Sequence, residues 1–176
     1  MLARPQTGLS MVEVLIAMVV LAVMITAAVP AYTAWVQNTQ IRTAAESIKN
    51  GIQLARAQAI QTNKLIRFAF TTDSGWKINP ADDPDKDPPI AERSHNDGSP
   101  NVTLEILPAG ANEVVFDSFG RLVVPPDPIA QVRIDNPTIT NLDDRRNLRI
   151  EITTAGSVRL CDPRVLSPTD SRRCLT

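Results

Sequence analysis

Hydrophobic and polar residues change their spacing twice along this chain. Leu9 to Val29 is an apolar run broken only by small or hydroxyl residues and by one carboxylate, Glu13. At about 1.5 Å per residue this run rises about 31 Å as a helix, enough to cross the hydrocarbon core of a bilayer. Pro30 removes one backbone donor and is expected to loosen or kink the helix without ending it. Beyond it, Ile41, Ala45, Ile48, Ile52, Ala55 and Ala59 recur at alternating four- and three-residue spacings, while Gln40, Arg42, Glu46, Lys49, Gln53 and Arg56 take other faces. This amphipathic stripe predicts that the helix continues, with one side packed on a sheet. Gly51 weakens it by about 1 kcal/mol relative to alanine.

After Asn63 the pattern shortens to β-rich runs. Strands are expected at Leu65–Phe70, Gly75–Asn79, Val102–Leu107, Glu113–Phe116, Arg121–Val124, Gln131–Ile134, Leu148–Thr153 and Ser157–Cys161. Val102, Leu104 and Ile106 alternate with Thr103 and Glu105, and Leu148, Ile150 and Ile152 alternate with Arg149 and Glu151. Thr154-Ala155-Gly156-Ser157 reads as a hairpin turn. Pro80 to Pro100, polar and proline-rich, reads as a long exposed loop. A long helix followed by antiparallel strands gives an α+β fold.

Glu13 needs a reason to be where it is. A charge in the hydrocarbon region costs roughly 2.5–3.5 kcal/mol on insertion scales, so an ionisable residue in a spanning segment marks function. The leader before the run, MLARPQTG, carries Arg4 and ends at Gly8. An ordinary secretory signal is cut after its apolar segment; here the small-residue junction precedes it, so cleavage leaves the helix on the mature protein.

The segment Gly8-Leu9-Ser10-Met11-Val12-Glu13 resembles the prepilin signal of type IV pilins and type II secretion pseudopilins. In that family a peptidase cuts after the glycine, and an acid stands at the fifth position after the cut, as Glu13 does. Pro30 also falls where family members carry a proline. Leu9 departs from the usual phenylalanine or methionine. The resemblance implies cleavage between Gly8 and Leu9, N-methylation of Leu9, and pairing of Glu13 with the new ammonium of a neighbouring subunit. An unpaired ion in low dielectric is costly, which gives that pairing a physical reason.

The later segment VVFDSFGRL, Val114 to Leu122, followed by LRIEIT and by AGSVRLC, looks like the GspH/FimT group of minor pilins and pseudopilins. A type IV pilin-like fold is thereby implied. Its parts would be a leader at 1–8, a transmembrane and filament-core helix at 9–30, an amphipathic half-helix at 31–63 and a periplasmic β-rich domain at 64–176. The implied role is a minor pilin that primes pilus assembly and stays at the tip. It would start in the inner membrane, with a single pass and a periplasmic C-terminal domain, and then enter the extracellular filament. Implied partners are other minor and major pilins, the prepilin peptidase and the inner-membrane assembly platform. A type II secretion pseudopilin is the alternative, and the cysteine-closed tail argues against it.

A periplasmic domain places Cys161 and Cys174, the two cysteines of the chain, in an oxidising compartment, where a disulfide is expected. Its loop of about 14 residues restricts the unfolded chain by roughly 3 kcal/mol in the loop-entropy model. Some members of the family bind DNA through a Gly-Arg-any-Arg motif near the C-terminus. Here the aligned residues are Gly156-Ser157-Val158-Arg159, without the first arginine. Arg159, Arg164, Arg172 and Arg173 could still contact phosphates. The competing reading is a solvated surface, or pairing with acids, and it is the favoured one.

Composition narrows the rest. The 176 residues carry a formal charge of −1, so no basic field advertises a nucleic-acid partner. The sequence has no phosphate-cradling glycine loop and no GxSxG motif, and its single histidine, His95, lies in polar sequence. No catalytic residue, cofactor or metal site is expected.

Overall fold

The computed structural model describes residues 10–123 and 129–175. The chain divides into two units, Met1–Trp35 and Val36–Thr176. Helix α1 runs from Met11 to Thr62 with Pro30 inside it. It begins two residues later than the apolar run because Ser10 caps it: the Glu13 N–H donates to the Ser10 hydroxyl at 3.2 Å. Asn63, at φ 53°, turns the chain out of the helix in a conformation that asparagine tolerates well. In the first unit, every residue from Met11 to Thr33 is exposed.

The hydrophobic core among the described residues lies in the second unit. Among the described residues its eight strands are β1 (Ile66–Phe70), β2 (Trp76–Pro80), β3 (Ala91–Arg93), β4 (Thr103–Leu107), β5 (Glu113–Phe116), β6 (Gln131–Asp135), β7 (Leu148–Ile152) and β8 (Val158–Cys161). They form two four-stranded sheets, β3-β2-β1-β5 and β4-β6-β7-β8, antiparallel throughout. Both sheets bury apolar residues in one core with the helix, the α+β arrangement of a long helix packed on antiparallel β-structure that the sequence predicts.

The helical stripe lies where its spacing placed it. Ile41, Ala45, Ile48, Ile52, Ala55 and Ala59 are buried, joined by Ala44 and Gly51. They pack with Ile66, Phe68, Ile78 and Phe116 of the first sheet and Val132, Ile134, Ile150 and Ile152 of the second. Gly51 is a packing requirement: a Cβ there would lie 2.9 Å from Phe68 Cε2 and 3.0 Å from the Trp76 ring. The helix weakness accepted at Gly51 lets both rings seat against the helix, and Trp76 Nε1 donates to Ser47 Oγ at 3.0 Å.

Two expectations about strands need correcting. Of the expected strand Arg121–Val124, the described residues 121–123 form only a single bridge, Leu122 to Phe116, flanked by the Val123 N–H on the Val115 carbonyl, and Val124 lies outside the described residues. Asp117 draws the chain into a tight turn by accepting the N–H groups of Phe119 and Arg121, at 2.9 and 2.8 Å. Leu122 N–H then goes to the Thr154 carbonyl. The Pro80–Pro100 segment is more than a loop, since it supplies edge strand β3 on β2 and buries Ser99, whose hydroxyl meets that of Ser74 at 2.9 Å. A three-residue strand flanked by polar turns is too short to show a period.

Candidate assembly and arginine sites

Glu13 occupies the first turn of α1, three residues after the Ser10 cap. An acid there favours the positive end of the helix dipole, so part of its presence has a local cause. The residues around it, Val12, Ile16, Ala17 and Val20, are exposed and apolar. Gly8 and Leu9, the expected cleavage and methylation positions, lie outside the described residues. Pro30 sits within the helix, and Thr33 Oγ1 donates to its carbonyl at 2.8 Å. Sequence reading passed over Tyr32 and Trp35, whose exposed rings lie 6.1 Å apart. The signal was available: two amphipathic aromatics follow the apolar run and precede Gln37 and Asn38.

Just past them the helix is fastened by amides. Asn38 Nδ2 donates to the Asp144 carbonyl at 2.7 Å, and Asn38 Oδ1 accepts the Arg146 N–H at 2.8 Å. Gln37 Oε1 accepts from the side-chain amides of Asn101, at 3.2 Å, and Asn136, at 2.7 Å.

Cys161 and Cys174 form the expected disulfide. Within the closed segment, Asp162 bridges Arg173, and the Asp162 N–H donates to the Arg172 carbonyl. Arg159 does not reach outward: its Nη2 donates to the carbonyls of Ser171, at 2.7 Å, and Arg173. Arg164 Nη1 likewise donates to the carbonyls of Asp143 and Arg145, at 3.0 and 2.9 Å. Arg172 pairs with Asp170 at 2.8 Å. That hydrogen-bonded guanidinium, helped by the Arg172 N–H, lowers the Asp170 carboxyl to about 2, and the same bond raises Arg172. Arg173 is exposed. Three of the four candidate DNA contacts thus bond within the protein, Arg159 and Arg172 to the tail and Arg164 from the tail to the Asp143–Arg145 segment.

Glu151 was assigned by alternation to the solvent side, but it is buried at 8% exposure. The tail explains this: Glu151 Oε1 accepts the Leu175 N–H at 3.0 Å. Glu151 stands close to both cysteine sulfurs, a grouping of metal-ligand type. The sulfurs are bonded to each other, and zinc binding requires thiolates. Elsewhere on the second sheet an open groove of about 480 Å³ carries Glu105, Arg133, Asp135 and Arg149. Its charges are largely matched, Arg133 to Glu105 at 3.1 Å and Asp135 to Arg145 at 2.9 Å.

The two segments that carried the resemblance meet in space. Arg56 Nε, on the helix, donates to the Gly120 carbonyl at 2.8 Å. Gly156, at the tip of the β7–β8 hairpin, lies so close that a Cβ would fall 2.3 Å from that same carbonyl oxygen. The turn itself is closed by the Gly156 N–H on the Thr153 carbonyl at 2.8 Å.

An exposed apolar helix with an acid in its first turn, running into antiparallel sheets around an amphipathic half-helix, defines a pilin-class subunit. Residues 44–174 match the family described as Type II transport protein GspH, and residues 3–29 match the prokaryotic N-terminal methylation motif. The chain belongs to the GspH family. The fold is similar to the type IV minor pilin FimU of Pseudomonas aeruginosa, solved in two crystal forms, at 20% identity in each. The TM-scores are 0.50 and 0.53, covering 72% and 76% of this chain and 99% of FimU. No curated protein matches the sequence.

Proposed function

We propose that this chain is a structural minor pilin of the type IV pilus that primes assembly and stays at the tip. Residues 1–8 are removed between Gly8 and Leu9, and Leu9 is N-methylated. The helix from Leu9 to Pro30 anchors the subunit in the inner membrane, with residues 31–63 as the amphipathic half and 64–176 as the periplasmic domain. It then moves laterally into the filament, beside other minor and major pilins, after meeting the prepilin peptidase and the assembly platform. The observation that carries this reading is the fully exposed apolar part of the helix, Met11 to Thr33, with one carboxylate in its first turn, lying largely within the methylation-motif match at residues 3–29.

Packing that helix beside others removes it from water or lipid, and Glu13 then pairs with the Leu9 ammonium of a neighbour. Replacing one partner strands the other charge, which costs roughly 3–5 kcal/mol when buried. Glu13→Ala is therefore expected to enter sheared fibres at a small fraction of the parent level, while Glu13→Asp keeps more. Equal incorporation of Glu13→Ala, or mass spectra showing residues 1–8 still attached in fibres, sinks the reading.

A second reading, a type II secretion pseudopilin, is favoured by the description of the matched family. Deleting the gene separates the two. Loss of pili with normal exoprotein secretion supports the pilin; the reverse supports the pseudopilin. DNA binding is disfavoured by the internal bonds of Arg159, Arg164 and Arg172. Salt-sensitive binding of duplex DNA that weakens on substituting the exposed Arg173 revives it.

A further inference from the structure

We propose that Glu151 guards the Cys161–Cys174 disulfide against reduction by thiols, acting through its charge. The inference stands apart from the pilin reading and concerns the C-terminal tail alone.

Glu151 and the disulfide lie together under that tail. A carboxylate oxygen of Glu151 and both cysteine sulfurs are all within 4.8 Å of one another. Strand alternation brings them there. Ile150, Ile152 and Leu160 pack in or against the core, so their neighbours Glu151 and Cys161 point away from it. The tail then covers both, leaving Glu151 8% and Cys161 2% exposed, with the Leu175 N–H on Glu151 Oε1 at 3.0 Å. That hydrogen bond does not require a charge. A glutamine amide oxygen would accept the same N–H, and burying an ionised carboxylate costs more than burying an amide. A carboxylate at this place has an effect beyond holding the tail.

Thiol–disulfide exchange is where that effect falls. The thiolate of a dithiol reductant bonds to one cysteine sulfur, the Cys161–Cys174 bond breaks, and its electron pair leaves on the other sulfur as a thiolate. The reductant's second thiol, its proton given to solvent, then closes on the reductant's own bound sulfur and expels the first cysteine. Both cysteines take up a proton; the cystine is reduced, and the dithiol is oxidised to a cyclic disulfide. Whichever sulfur is attacked, the departing charge forms on an atom that lies within 4.8 Å of the Glu151 carboxylate. A like charge at that range disfavours the thiolate, and a poorer leaving group departs more slowly. The approaching thiolate meets the same repulsion. Other charges stand nearby: Arg149 opposite Cys161, Arg159 opposite Glu151 with its Nη2 on the Ser171 and Arg173 carbonyls, and Asp162 and Arg173 beside the cysteines in the chain. All of them remain when Glu151 alone is replaced, so the comparison isolates its carboxylate.

The test uses the full chain in detergent, as parent, Glu151→Gln and Glu151→Asp. Reduction by dithiothreitol at neutral pH is followed by thiol alkylation and mass spectrometry. Glu151→Gln keeps an acceptor for Leu175 and removes the charge, so it is expected to be reduced at least about threefold faster than the parent. Glu151→Asp keeps the charge and should stay within about twofold of the parent. In the reduced proteins, Cys161 and Cys174 of Glu151→Gln should reach half-maximal alkylation at a pH about one unit lower than in the parent. Equal rates for the parent and Glu151→Gln overturn the proposal. So does a Glu151→Asp variant reduced as fast as Glu151→Gln, which makes packing or hydrogen bonding the protective element. An alkylation profile that Glu151→Gln leaves unmoved overturns it as well.

Discussion

Gly156→Ala tests the joint between the two motif-bearing segments. At φ 78° an alanine adopts a left-handed conformation, at roughly 1–2 kcal/mol. Its Cβ would also stand 2.3 Å from the Gly120 carbonyl oxygen and 3.3 Å from Phe116 Cε1. The oxygen is backbone, held by Arg56, so relief requires the hairpin or the Asp117–Arg121 turn to move. Overpacking of this kind costs about 1–3 kcal/mol, giving a total of roughly 2–5 kcal/mol. Gly110→Ala supplies the control, since φ is 90° there and nothing lies within 4 Å of the added carbon. It should lose the conformational part alone, about 1–2 kcal/mol. The assay is urea unfolding of the unit from Val36 onward, which contains the core. If the two variants differ by less than about 1 kcal/mol, contact with Gly120 is not what keeps residue 156 a glycine.

Three further outcomes are expected. Asp170 is depressed to about 2 by the Arg172 guanidinium; its ordinary range is near 3.8, so its contribution is present above that value and is lost as pH falls from there toward 2. An NMR titration should place its midpoint near 2, and Arg172→Ala should return it toward the ordinary range; an unmoved midpoint contradicts the assignment. Replacing Cys161 and Cys174 together by serine should lower stability by roughly 3 kcal/mol for a loop of this length, read from urea midpoints of the oxidised parent and the variant. Arg159→Ala removes a donor from two carbonyls, at roughly 0.5–1.5 kcal/mol each. It should speed amide exchange from Asp162 to Leu175 and leave the helix and first sheet unchanged.

What could be read from the sequence followed periodicity. The helical stripe from Ile41 to Ala59 was legible because every position in it faces one core. Strand β6 shows the same clarity, with Val132 and Ile134 buried around exposed Arg133. Legibility failed where long-range partners override local pattern. Glu151 alternates correctly as an outward residue and is nevertheless buried, because a tail 24 residues later folds over it. Arg121–Val124 has strand-forming residues, yet the Asp117 carboxylate captures the neighbouring amides first. The Ser10 cap was readable as a serine three residues before an acid; the apolar run hid it.

The C-terminal arginines show why a motif needs its surroundings before it implies a ligand. Arginines near a disulfide-closed loop read equally well as phosphate contacts or as internal donors, and charge alone does not choose. The choice is made by backbone accounting. From Asp162 to Leu175 the chain forms no regular strand, so its carbonyls lack ladder partners and must find donors elsewhere. A guanidinium offers several N–H groups from one fixed plane, and one side chain can satisfy two carbonyls at once. Arg159 does this for Ser171 and Arg173 in the tail, and Arg164, from the tail, does it for two carbonyls of the Asp143–Arg145 segment. A phosphate would have to compete with bonds that hold the tail in place. By the same logic, the absence of an arginine at Ser157 is no loss to the fold: that residue completes the hairpin, its N–H on Thr153 Oγ1 at 3.2 Å.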